Sequence, residues 1–185
     1  MISGVRALLL PAEEDPALDS PRVEPVEPDE IPEPQRSLLV HERDMTGTLA
    51  DFRGRAPRLR VIRVQRTGDW LHRRVVLLIG DEPVEFGSIR IHVSLFEGQV
   101  LNEVLAGQLP LGAILRAHSV PHRCRPQNYF RRRSDSLTEE AFALGRDAVL
   151  YGRFATLERP DGVMLAEAVE ILPPFDATPS QEDGA

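Results

Sequence analysis

Two places in this sequence put ionisable groups where simple packing would put apolar ones. In Val163 to Leu172, a strand-like stretch, Val163, Leu165, Glu167, Val169 and Ile171 share one face. Side chains alternate along a strand, so Glu167 is an acid set in an apolar row. Such a carboxylate is either a structural ion-pair partner or a group in a desolvated pocket, where its pKa rises and it can serve as acid or base. Glu170, three positions on, points the other way and reads as a surface acid. The second place is Trp70 to Ile79, where Arg73 and Arg74 precede an unbroken aliphatic run. Such a run fits a strand buried on both faces, the central one of its sheet. Neighbouring residues point to opposite faces, so one of the two arginines faces inward. A buried guanidinium needs an anion, supplied by the protein or by a ligand. Across a pocket, Glu167 is its natural counterpart.

The other chemistry-bearing residues narrow the field. His41, His72, His92, His118 and His122 show no metal-ligand spacing beyond the last pair, and Pro121 interrupts any helix between those two. Cys124 is the single cysteine, which excludes a disulfide framework or a cysteine-based zinc site within one chain. There is no P-loop, dinucleotide glycine fingerprint or Gly-x-Ser-x-Gly. His122 to Arg133, with five arginines, reads as a solvated basic loop or as cover over an anionic ligand. No metal and no cofactor is expected.

Composition sets the frame for these groups. Residues 11–35 hold nine acids against one arginine, so the rest of the chain is near neutral despite the net charge of −7. Aromatics at 5% are too sparse for a platform that stacks single-stranded nucleic acid. No apolar run approaches the ~20 residues of a membrane span. Val5 to Leu10 is too short for a secretory leader. The expectation is a cytoplasmic protein with a small-molecule partner, without nucleic acid or membrane, as a monomer or a dimer.

The elements that must hold Arg73 and Glu167 follow in order. Residues 1–35, with seven prolines between positions 11 and 35, read as an acidic disordered lead-in that catalysis does not need. Residues 36–174 form the folded domain, and 175–185 a loose tail. Asp44 can cap a short helix carrying Met45, Leu49 and Phe52 on one face. Strands follow over Leu59 to Arg66, Trp70 to Ile79 and Val84 to Ser94, divided by turns at Gly68 and Gly80. Phe96 to Ala106 is a helix stopped by Gly107, and Thr138 to Leu144 another. A hairpin, Ala148 to Glu158 and Val163 to Leu172, ends the domain. The pattern is α+β and antiparallel.

Arg36 to Pro173 resembles the chorismate lyase (chorismate–pyruvate lyase) family, whose fold is shared with the UTRA ligand-sensing domains of transcription regulators. The resemblance rests on Leu38-Leu39 with Asp44-Met45-Thr46, on Arg73-Arg74-Val75-Val76-Leu77 before Asp81-Glu82-Pro83, and on Pro110-Leu111-Gly112. It continues through Gly145-Arg146-Asp147-Ala148, Leu150-Tyr151-Gly152-Arg153 and Leu165-Ala166-Glu167. It implies a single six-stranded antiparallel sheet with inserted helices covering an internal ligand cavity. It also implies an enzyme, a carbon–oxygen lyase converting chorismate to 4-hydroxybenzoate and pyruvate without a cofactor. Product-binding positions fall on Met45, Arg73, Leu111 and Glu167. Arg73 would anchor the ring carboxylate, and Glu167 would meet the 4-hydroxyl, making these two the catalytic residues. The alternatives are a non-catalytic UTRA-like sensor of a small aromatic carboxylate and, less well matched, a hotdog-type thioester enzyme. The lead-in cannot form the helix-turn-helix of a regulator, and the hotdog's long central helix is missing.

Overall fold

The computed structural model describes Leu8, residues 22–145 and residues 147–175. Its core is one antiparallel sheet of seven strands: β1 (Glu24–Val26), β2 (Arg58–Thr67), β3 (Trp70–Ile79), β4 (Glu82–His92), β5 (Arg123–Arg133), β6 (Val149–Glu158) and β7 (Met164–Leu172). The spatial order is β1-β5-β6-β7-β4-β3-β2. The α+β antiparallel class expected from the sequence is therefore the observed one. The hairpin turns at Gly68, Gly80 and Gly162 all take positive φ, which glycine adopts without steric cost.

Both faces of the sheet are covered. On one lie α1 (Gln35–Leu39), α2 (Met45–Arg53), α3 (Gly98–Ala106) and α4 (Leu111–Ala117). Asp44 caps α2 as expected, accepting from Gly47 N at 2.8 Å. Gly107 ends α3 in a left-handed conformation at φ 65°. On the other face, α5 (Ser136–Phe142) and Leu8 pack over Val76, Phe86, Phe130, Val169 and Ile171. Ser88 Oγ donates to the Leu8 carbonyl at 2.6 Å. Among the described residues no helix is long and apolar enough to cross a membrane.

Five expectations need correction. The sheet has seven strands where six were expected, because β1 comes from the segment read as a lead-in. It pairs with β5, setting Glu24 opposite Arg131 and Val26 opposite Tyr129. Val23, Val26 and Ile31 are buried, so the domain boundary at Arg36 falls inside the packed fold. Apolar residues spaced between prolines gave that segment more to bury than its composition implied. Residues 9–21 lie outside the described residues. Phe175, the first residue of the expected tail, instead packs edge-on against Phe52, ring centroids 6.1 Å apart; residues 176–185 lie outside the described residues.

The arginine-rich stretch is also not a loop. It is β5, and four of its five arginines are engaged within the chain: Arg125 on Glu158, Arg131 on Glu24, Arg132 on Asp135 and Arg133 on the Asp147 carbonyl. Finally, β3 is not central. It lies one strand in from the β2 edge, and β7 holds the middle. The doubly buried character of β3 arises because helices or apolar side chains cover both faces even near that edge.

Candidate functional site

The sheet face beneath α2 and α4 does not close completely. A cavity there opens to solvent, and about 550 Å³ of space between atoms, with the open solvent at its mouth included, lies among its lining residues. Strand register explains its floor. Arg73 sits opposite Ile89, Val75 opposite Gly87 and Leu77 opposite Glu85, while Gly87 faces Glu170 and Ile89 faces Ala168. Directly opposed residues in an antiparallel pair share a face, so all of these look the same way. Gly87 and Ala168 are small, and that leaves the room. A Cβ on Gly87 would stand 3.2 Å from both Glu85 Oε1 and Val75 Cγ2.

The roof comes from two helix starts. Asp44, Met45 and Thr46 at α2 meet Pro110, Leu111 and Gly112 at α4. Gly112 lets them approach, since a Cβ there would fall 2.5 Å from Asp44 Oδ1. Arg116 of α4 ties the junction by an ion pair to Asp44. Burial works against the Asp44 charge, but hydrogen bonds from Arg116 and Gly47 N outweigh it and hold the carboxyl below its usual value.

Arg73 is the distinctive group. It is 2% exposed, it lines the cavity, and its Nε and Nη1 are buried with no hydrogen-bond partner. Burial pushes its pKa down to about 10, which still leaves it charged at neutral pH. A Cβ on Gly107 would sit 3.7 Å from Nη1, so the end of α3 closes over the guanidinium. Arg74 belongs to the opposite face, level with Ser88 and away from the cavity lining.

Two carboxylates, Glu85 and Glu170, line the other part of the cavity. Glu170 is paired with Arg153, which is fully buried. The remaining donors of Arg153 reach the carbonyls of Leu39, His41 and Arg43, fixing the chain that leads into α2. Burial opposes the Arg153 charge, yet the neighbouring Glu170 more than restores it, and its pKa ends above the usual value. Glu85 has no such partner. Burial, and then the Glu170 charge beside it, hold its carboxyl well above the usual carboxylate range. Burial also pushes the Cys124 thiol, near this end, up to about 12, leaving it inert as a nucleophile.

Of the four residues singled out beforehand, the structure brings Met45, Arg73 and Leu111 to one cavity and leaves Glu167 outside it. Glu167 does share a face with Val169, as alternation requires, but that is the face packed under α5. There it pairs with Arg90, Oε1 to Nη2 at 2.7 Å, and Arg90 stacks 4.6 Å above the Trp70 ring. Glu170, read as a surface acid, is 7% exposed and faces the cavity. The missed signal was the small-residue row Ala166, Ala168 beside Glu170: bulky residues fill the packed face, and small ones leave space for a ligand. Among the described residues no group of three His, Cys, Asp or Glu is placed to hold a metal ion.

No protein-family model and no curated protein matches the sequence. Solved structures do match in fold. PhnF from Mycobacterium smegmatis superposes with a TM-score of 0.57 at 11% identity, over 72% of this chain and 64% of that one. The chain thus spans under two thirds of that protein's length. The effector domain of PhnF gives 0.54 at 11% identity, covering 70% and 88%. The ligand-binding domain of a GntR-family regulator from Bordetella bronchiseptica gives 0.51 at 11%, covering 63% and 85%. The fold is therefore that of the ligand-binding domains of GntR-type regulators, the UTRA half of the resemblance seen in the sequence.

Proposed function

We propose that this domain binds a small aromatic carboxylate in the cavity, its carboxylate on Arg73 and its ring over Gly87 and Ala168. The observation that carries this is a buried guanidinium with two unpartnered nitrogens beside open space. Leaving such a cation without an anion is costly, and a planar carboxylate accepts two parallel hydrogen bonds from it. The sensor-like fold supports a binding role, and the resemblance directs the choice of ligand to 4-hydroxybenzoate.

A second reading, a chorismate lyase, is favoured by the carboxyl groups at the far part of the cavity. Elimination breaks the C3–O bond of chorismate and removes the hydrogen on C4; the ring becomes aromatic, and the enolpyruvate takes up a proton to leave as pyruvate. Arg73 would fix the pose, and Glu170 or Glu85 would handle the proton, in place of the Glu167 first indicated. Incubation with chorismate separates the two. Pyruvate and 4-hydroxybenzoate in equal amounts support the lyase. Saturable 4-hydroxybenzoate binding without turnover leaves the binder, and the absence of both contradicts either reading.

A further inference from the structure

Glu85 is a buried acid that no expected role uses. It is 4% exposed, its Oε2 is buried without a hydrogen-bond partner, and it lines the cavity that contains Arg73. Along β3, Glu85 stands level with Leu77 and Arg73 with Ile89, four residues apart on the strand, or ~13 Å of backbone. The cavity is thus polarised, with an unpaired cation toward one end and an unpaired acid toward the other.

The charges facing Glu85 decide its form. From β7 comes Glu170, from β6 Arg153, and from the start of α2 Asp44. Arg153 is engaged by Glu170 and three backbone carbonyls, and Asp44 by Arg116 and Gly47 N. Glu85 is left between two carboxylates with no cation of its own. Two such acids in a dry site do not both ionise, and the one without the guanidinium keeps its proton. A neutral carboxylic acid is a hydrogen-bond donor.

We propose that Glu85, as the neutral acid, selects the far end of the ligand: it donates a hydrogen bond to an uncharged oxygen there, while the Glu170 carboxylate beside it repels a second anion. The inference rests on the aromatic-carboxylate reading above, and it narrows the ligand class to monoanions with a neutral oxygen opposite the anion. A site built to hydrogen-bond a hydroxyl discriminates against analogues that lack it, because its own polar group is then left unpaired.

The test uses the whole chain and three probes: benzoate, 4-hydroxybenzoate and benzene-1,4-dicarboxylate. Wild-type protein should bind 4-hydroxybenzoate about tenfold more tightly than benzoate, the worth of one buried hydrogen bond, and should reject the diacid. Glu85→Gln keeps a neutral donor and should keep the preference. Glu85→Leu should bind both monoacids alike. In wild type the preference should fade as pH rises through the Glu85 titration, and in Glu85→Gln it should not. Stability gives a ligand-free reading. A carboxyl whose folded pKa is raised stabilises fully below its unfolded value, and that contribution is lost as pH climbs through the folded value. Glu85→Gln should therefore gain on wild type at alkaline pH and match it near pH 4. Benzoate bound with the same 4-hydroxyl preference in Glu85→Leu as in wild type overturns this inference alone. Failure of wild type to bind any of the acids overturns the ligand reading and the inference with it.

Discussion

Glu167 and Glu170 lie three residues apart on β7 and meet opposite surroundings. Glu167 pairs with Arg90, whose side chain is 41% exposed, and half-exposed pairs contribute little, about 0–1 kcal/mol. Glu170 neutralises Arg153, a guanidinium with no exposure at all. Removing one partner of a buried pair strands the other charge and costs about 3–5 kcal/mol. Glu167→Gln should therefore leave the melting temperature within a degree or two of wild type. Glu170→Gln should lower it by roughly 10 °C, taking ~2–4 °C per kcal/mol for a chain of this size. Thermal denaturation of the two variants checks this, and the reverse ranking would mean that the cavity lies on the other face. Alternation correctly put the two acids on opposite faces. It could not say which face carried the cavity, because β7 is buried on both.

At the scale of elements, β1 carries the largest departure from the sequence reading. Three residues of strand and the segments on either side of it place Val23, Val26 and Ile31 in the interior and cover the outer edge of β5. Burying each such side chain is worth ~1.5–3 kcal/mol, so the three together approach the whole stability of a typical domain, ~5–15 kcal/mol. Deleting residues 1–35 should give protein that is insoluble or melts far below the full chain. An unchanged melting temperature in circular dichroism would restore the lead-in reading. The hairpins of β2 to β4 and of β6 and β7 were legible because glycine turns punctuate apolar runs. By contrast β5 was hidden by arginines on its exposed positions and by Pro126, and β1 by the seven prolines around it. Short strands owe their existence to a neighbour's edge more than to their own pattern.

At the scale of the molecule, helices on one face and α5 with Leu8 on the other turn the sheet into a two-sided core that leaves the cavity incompletely filled. The sequence carried three of the four residues proposed for that space, since Arg73, Met45 and Leu111 follow from the motifs. It did not carry Glu85 or Glu170, because a cavity is set by what small residues on three strands leave empty together. The central claim is that Arg73 holds a ligand anion there. The direct measurement is calorimetric titration of 4-hydroxybenzoate into wild type and Arg73→Met, with melting temperatures of both. Methionine keeps much of the stem and removes an unpaired buried cation, so the variant should be as stable as wild type or more so. Its affinity should fall at least about a hundredfold, the worth of a paired, charge-assisted contact. Undiminished binding by a stable Arg73→Met protein would contradict the claim.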